Sequence, residues 1–249
     1  MVQTPITSPN LYPDSDGQPM ADNTLQYQWI VRLVENLKHL LAGQNAFAAG
    51  DLLWYPVEVE RGQKTPVQAP DAMVVLGRPD HYRGSYQQWQ EDNIAPQVVF
   101  EILSPSNSGA EMVAKQSFYA EHGVLEMYFY DPNSYNFWGF ARTNQSDELT
   151  TIITPLHLPW VSPLLKIRFE LFEDGLEIFD PNGEPFKTFV ELAQERNQLQ
   201  LERDQAQQAQ TQIQAKLDQA QQDQAQTQAK LDQAIAQLRQ LGIDPDSLS

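Results

Sequence analysis

Three residues in the first half of the chain have the types and surroundings for hydrolytic chemistry. Asp71 opens the apolar run DAMVVL, Glu101 interrupts the apolar run VVFEIL, and Lys115 follows in KQSFYAEHG. If both runs are buried strands of one sheet, the two carboxylates can meet at one end of it. Phosphodiester hydrolysis needs a water made nucleophilic and a phosphate whose developing charge is stabilised. Hard carboxylate ligands holding Mg2+ (or Mn2+) supply both, and an ammonium can orient the water or stabilise the pentacovalent phosphate.

Each of the three has a plainer reading. Asp71 follows a proline and could be a strand-opening turn residue. Lys115 stands four residues after Glu111, the spacing of a surface ion pair. Glu101 is harder to dismiss, because a carboxylate buried in an apolar strand without a partner is costly. For Lys115, helical periodicity favours the inward reading. At about 100° per residue it falls within the arc of Met112, Phe118, Tyr119 and His122, the apolar face, and away from Ala114, Ser117 and Glu121.

The elements that must position these groups follow from periodicity and breakers. Residues 1–21 read as an irregular lead-in rich in Pro, Asp and Gly. Its PDSDG turn resembles the start of a calcium loop but lacks the distal glutamate. From about Asp22, DNT caps a helix with the stripe Leu25, Trp29, Leu33, Leu37 and Leu40, ending at Gly43. Short β-rich runs lie between Phe47 and Leu76, and residues 77–96 form a polar loop with interleaved aromatics. QVVFEIL is expected to be a strand covered on both faces. SPSNSGAEM turns into a second helix, with Ser108 and Glu111 as a capping box, ending at Gly123. LEMYFYDP and YNFWGFAR are two further strands about a Pro-Asn turn, followed by candidates near 150–153, 165–169 and 176–179. The order implies a mixed sheet with helices packed on it.

Further candidates are Asp51, a third metal ligand or a strand-edge turn residue, and Glu35, a surface-face residue unless it joins the metal site. Ser104 and Ser106 have no histidine in register and read as turn and cap residues. Arg78 and Arg83, beside Tyr82, Tyr86 and Trp89, could contact phosphates and stack bases.

The chain of 249 residues has no cysteine, which excludes disulfides, thiolate zinc sites and a cysteine nucleophile, and its four histidines are scattered. Neither a signal peptide nor a membrane span is apparent, so a cytoplasmic protein is expected. Net charge is -17. Residues 1–185 carry 24 acidic and 10 basic side chains, a balance of -14. That field repels a phosphate backbone, so DNA binding must rest on a local basic strip or on bound cations.

From Pro185 the composition becomes Gln/Ala-rich, and AKLDQA recurs at Ala215 and Ala229, two heptads apart. Leu192, Leu199, Ala206, Ile213, Ala220, Thr227, Ala234 and Leu241 form one seam series. Arg196, Arg203, Gln210, Leu217, Gln224, Leu231 and Leu238 form its partner. This is a coiled-coil register with a partly polar seam, or alternatively a solvated single helix or disordered tail. The expected organisation is lead-in 1–21, domain 22–185, helical coiled-coil tail 186–241 and C-terminal end 242–249.

APD, then VVFEILSPS, then a helix with EMxxK and FY, then GVLEMYFYDP resembles the Uma-type family of bacterial proteins in the PD-(D/E)XK nuclease superfamily. The resemblance spans about residues 22–189. It implies an α/β restriction-endonuclease-like fold, a mixed β-sheet flanked by helices, and magnesium-dependent cleavage of DNA. Asp71 is then the acid of the PD element and Glu101 that of the ExK element. Leu103 stands where the superfamily has its lysine, and Lys115 on the following helix is the matching position. The expected function is a DNA endonuclease with Asp71 and Glu101 on the metal and Lys115 beside the water, made a homodimer by its C-terminal helix. The alternative is a catalytically inactive relative that works as an oligomerisation or scaffold protein.

Overall fold

The structure, a computed structural model, describes residues 11–240 and Gly242. In chain order the elements are α1 (Thr24–Leu40), β1 (Ala46–Ala49), β2 (Trp54–Tyr55), β3 (Ala72–Leu76), β4 (Tyr86–Gln87), β5 (Val98–Ile102) and α2 (Gly109–Glu121). They continue with β6 (Glu126–Asp131), β7 (Asn136–Ala141), β8 (Thr151–Ile153), β9 (Trp160–Val161), β10 (Arg168–Phe172), β11 (Gly175–Phe179) and α3 (Phe189–Gln240). The described residues fall into two compact units, one ending at Phe189 and the other beginning at Val190.

The first unit is built on a six-stranded mixed sheet in the order β1-β3-β5-β6-β7-β8. β5 lies inside it, antiparallel to β3 and parallel to β6, and all five of its residues are buried. That placement explains its near-continuous apolar sequence, since both faces must be covered. Successive residues alternate between the faces. Ala72, Val74, Val98, Phe100 and Ile102 enter the cluster beneath α1 and the β9–β11 sheet, whereas Met73, Val75 and Val99 enter the cluster beneath α2. Asp71 and Glu101 follow the second alternation.

α1 starts as the sequence reading expects, with Asn23 accepting the amide of Gln26. Its inner face is rotated, however. Gln26, Ile30, Leu33, Val34 and Leu37 are buried, while Leu25 is exposed. β1 and β3 pair directly in antiparallel register, and the Trp54–Tyr55 run leaves that sheet to pair in parallel with β4. Residues 77–96 are therefore structured: Tyr86 is fully buried, and its hydroxyl donates to the Ile94 carbonyl at 2.6 Å.

The lead-in is irregular over its described part and tied down; residues 1–10 lie outside the described residues. Tyr12 packs on Tyr55 and Trp89, accepts the amide of Val59 at 2.7 Å and donates to its carbonyl at 3.2 Å. At the other end, Phe186 is buried and its amide donates to Ile178, and the Lys187 amide donates to Asn36, so the chain just past Pro185 packs with the globular unit.

From Phe189 to Gln240 the chain is α3, one continuous helix of 52 residues with no buried side chain. At about 1.5 Å per residue it spans roughly 78 Å. The final seam position, Leu241, and residues 243–249 lie outside the described residues. Among the described residues no helix is long and apolar enough to cross a membrane.

Candidate active site

The site forms where β3 and β5 meet. Their register pairs Ala72 with Phe100, and one step further sets Asp71 opposite Glu101. The two strands are tied at this end by the Ile102 amide, which donates to Asp71 Oδ2 at 2.6 Å. Asp71 is thus part of the strand end, which goes beyond an ordinary turn residue.

Ser108 caps α2 by accepting the Glu111 amide, and the helix then lays its apolar face on the sheet, burying Met112 and Tyr119. The return half of the expected capping box is replaced, since Glu111 Oε1 accepts from Asn107. Lys115 lies on the buried face, and its Nζ donates to Glu101 Oε2 at 2.7 Å. One turn later, the Tyr119 hydroxyl donates to Glu101 Oε1. Glu101 is 2% exposed, so these donors stand in for the water it lost.

Burial pushes the Asp71 carboxyl well up, and the neighbouring Glu101 charge pushes it further, against the pull of Lys115. Burial also raises Glu101, opposed by Lys115 and Tyr119. Burial works against the Lys115 ammonium, but the Glu101 and Asp71 charges outweigh it and hold its pKa above the usual value. The Tyr119 phenol is raised well above its usual value, first by burial and then by the Glu101 charge, so it remains a donor.

Asp51 and Glu35 separate clearly. Asp51, in a left-handed conformation (φ 49°), bonds its amide to the Pro70 carbonyl at 3.1 Å. Its carboxyl is raised by burial and by Asp16 and lowered by Lys115, which places it within the site's electrostatic reach. Glu35 faces outward and pairs with Lys38. The α1 side chain that does reach the site's edge is Gln26, whose Nε2 donates to the Ile102 carbonyl at 2.8 Å while its Oε1 accepts from the Asp22 amide. The Asp22 carboxylate in turn accepts from Ser104 Oγ at 2.6 Å and from Ser106. Those two serines are turn residues, as their sequence context indicates.

Arg78 and Arg83 are engaged in intramolecular ion pairs. Both guanidiniums bind Glu91, at 2.7 Å each, and Arg83 also lies over the Phe47 ring. Burial would raise Glu91, but the bonds from Arg83 and Arg78 win and hold it low. Of the aromatics beside them, Tyr82 is open to solvent, whereas Tyr86 is core.

Among the described residues no three acidic, histidine or cysteine side chains converge as a metal cage. Two hard carboxylates are what the described residues bring together here, and a divalent cation between them would relieve their mutual repulsion. Magnesium is commonly held in this way, by one or two carboxylates with waters and substrate phosphate oxygens completing the shell. The residues fit such an ion.

The Uma2 family, described as "putative restriction endonuclease", matches residues 16–178, and the chain belongs to that family. Its mixed α/β architecture is accordingly restriction-endonuclease-like. Among solved structures, a crystal structure of a "putative nuclease" from Anabaena variabilis is similar at 17% identity and a TM-score of 0.40, covering 60% of this chain and 79% of its own. No curated protein matches. Two features of the site escape the sequence reading. Tyr119 was visible as a neighbour of Lys115 on one helical face, four residues on. Gln26 carried no periodic signal, because its partner on β5 is remote in sequence.

Proposed function

We propose that the chain is a divalent-cation-dependent endonuclease that hydrolyses DNA phosphodiester bonds. The observation that carries this reading is the joining of Lys115, Glu101 and Asp71 in one buried cluster at the β3–β5 strand end. Asp71 and Glu101 would hold Mg2+ or Mn2+, which when bound acidifies water and neutralises phosphate charge. Lys115 is the group that can leave its partner. Its ammonium sits at the end of a flexible stem, and once Glu101 is otherwise neutralised it can turn to the attacking water or to a phosphate oxygen.

The acidic surface makes the cation do double duty, since DNA must approach a site edged by Asp16, Asp22 and Asp51. A homodimer through α3 would supply two such sites for two strands. A second reading is a catalytically inactive relative whose working part is the long helix, favoured by 52 helical residues with no buried side chain.

The test is supercoiled-plasmid cleavage in Mg2+ and Mn2+. Wild type is expected to cut. Asp71→Asn, Glu101→Gln and Lys115→Met are each expected to lose at least about a hundredfold in rate, the scale of removing one charge-stabilising group. Cleavage that survives Glu101→Gln would remove the nuclease assignment from this site. Wild-type protein that neither binds Mn2+ nor cuts DNA would favour the scaffold reading.

A further inference from the structure

A glutamate on a strand has three rotatable side-chain bonds, and a single hydrogen bond does not fix the plane of its carboxylate. Glu101 is gripped at both oxygens, Oε2 by Lys115 and Oε1 by Tyr119. The two donors stand four residues apart on one buried helical face, so a rigid element sets their separation.

Tyr119 is itself held. It is fully buried, and its ring stacks on Trp54 with centroids 6.3 Å apart and planes inclined by 11°. Trp54 is fixed in turn by its Nε1, which donates to Gln88 Oε1 at 3.0 Å. Core packing alone would be served equally well by phenylalanine at 119. The hydroxyl is the atom that reaches the site, and it ends on the acid.

We propose that Tyr119 is a positioning residue of the site, its hydroxyl locking the Glu101 carboxylate in the orientation that receives the divalent cation. This rests on the assignment of Glu101 as a ligand. Lys115 and Tyr119 then divide the work: the lysine is free to move when a cation arrives, while the tyrosine keeps its oxygen in place throughout. Outer hydrogen bonds of this kind orient a ligating carboxylate, and losing one typically weakens metal binding or activity by about 10–100-fold.

The experiment uses the full chain, with Mn2+ as the probe ion in calorimetry, on wild type, Tyr119→Phe and Glu101→Gln. Tyr119→Phe is expected to bind Mn2+ about tenfold more weakly than wild type. Its cleavage rate should fall and its KM for DNA stay unchanged, because the lost atom touches the acid and not the nucleic acid. The Tyr119 hydroxyl proton, followed by NMR in the metal-free protein, should move upfield in Glu101→Gln, where a neutral amide replaces the charged acceptor. This last measurement does not depend on how well Tyr119→Phe folds. Mn2+ binding by Tyr119→Phe within twofold of wild type overturns the proposal and leaves the nuclease reading standing. A hydroxyl resonance indifferent to Glu101→Gln overturns it as well. If Glu101→Gln binds Mn2+ as wild type does, the ligand assignment itself fails and the Tyr119 role falls with it.

Discussion

At the scale of single residues, the chain buries two glutamates in strands and uses them differently. Glu101 is gripped by groups that carry or share a proton, beside a second acid. Glu126, at the start of β6, is 1% exposed and serves as a structural acceptor for Ser162 Oγ at 2.5 Å, Tyr128 OH at 2.8 Å and the Leu164 amide at 2.7 Å. Burial raises its carboxyl above the ordinary value of 4.5, against those three bonds. The folded state therefore holds the proton more tightly than the unfolded state. The stability this contributes is fully present below pH 4.5 and is lost as pH rises through the folded value. Urea unfolding of wild type and Glu126→Gln across pH 4–8 should show the wild-type advantage shrinking as pH increases. The comparison cancels Asp71 and Glu101, which slope the same way in both proteins. A pH-independent gap would show that Glu126 does not titrate there. Glu126→Ala should lose roughly 1–3 kcal/mol by stranding the Leu164 amide and the Ser162 hydroxyl. Both glutamates carry the same sequence signal, a carboxylate within an apolar run, and what distinguishes them is invisible locally. Lys115 and Tyr119 share one helical face with a readable period, whereas Ser162 reaches Glu126 from a loop no periodicity places. The Arg78 and Arg83 pairing with Glu91 was hidden for the same reason, and where the loop's aromatics and cations suggested phosphate contacts the structure shows intramolecular ion pairs.

At the scale of elements, the site depends on how closely β1, α1 and β3 approach one another. Gly50 follows β1 where the chain turns past both. A Cβ there would lie 2.8 Å from Val34 Cγ2 on α1 and 3.1 Å from the Asp71 carbonyl oxygen. Neither neighbour is the free end of a long side chain, so an added methyl must push α1 outward or displace the Asp71 backbone. Gly50→Ala should cost on the order of 1–3 kcal/mol by urea unfolding. It should also slow cleavage at pH and Mg2+ levels where the protein remains folded, because one of the two yielding atoms belongs to a proposed ligand. An unchanged midpoint would mean that the helix edge relaxes freely. The fold's strands were legible because burial on both faces imposes an apolar run, as in β5, or a hairpin pattern, as in β6 and β7. The rotation of α1 was not. Its apolar residues support two overlapping stripes, and the one buried is the one that also brings Gln26 to the Ile102 carbonyl, 76 residues away in sequence.

At the scale of the whole molecule, α3 draws part of its helicity from local bonds. Gln214–Asp218, Gln219–Asp223 and Gln228–Asp232 are side-chain bonds at i,i+4 spacing, each worth about 0.2–0.5 kcal/mol, and they recur along it. Helix formation is thus no evidence of a coiled coil, and the seam must be judged on its side chains. In the first half Arg196, Arg203 and Gln210 interrupt Leu192 and Leu199. From Ile213 onward Leu217, Leu231 and Leu238 supply the second series, so association should concentrate there. Removing residues 190–249 leaves Phe186 in the core and should yield a folded monomer by light scattering, where the full chain is expected to give twice the mass. Removing only 211–249 should do the same, whereas a seam spread evenly along the helix would leave a weakened dimer. The functional consequence is separable from folding. Two sites brought together can cut both strands in one encounter, so the full chain should convert supercoiled plasmid to linear DNA while the truncated chain accumulates nicked circles at the same initial rate. Linear product from the truncated chain, formed as fast as from the full one, would mean that the helix serves another end.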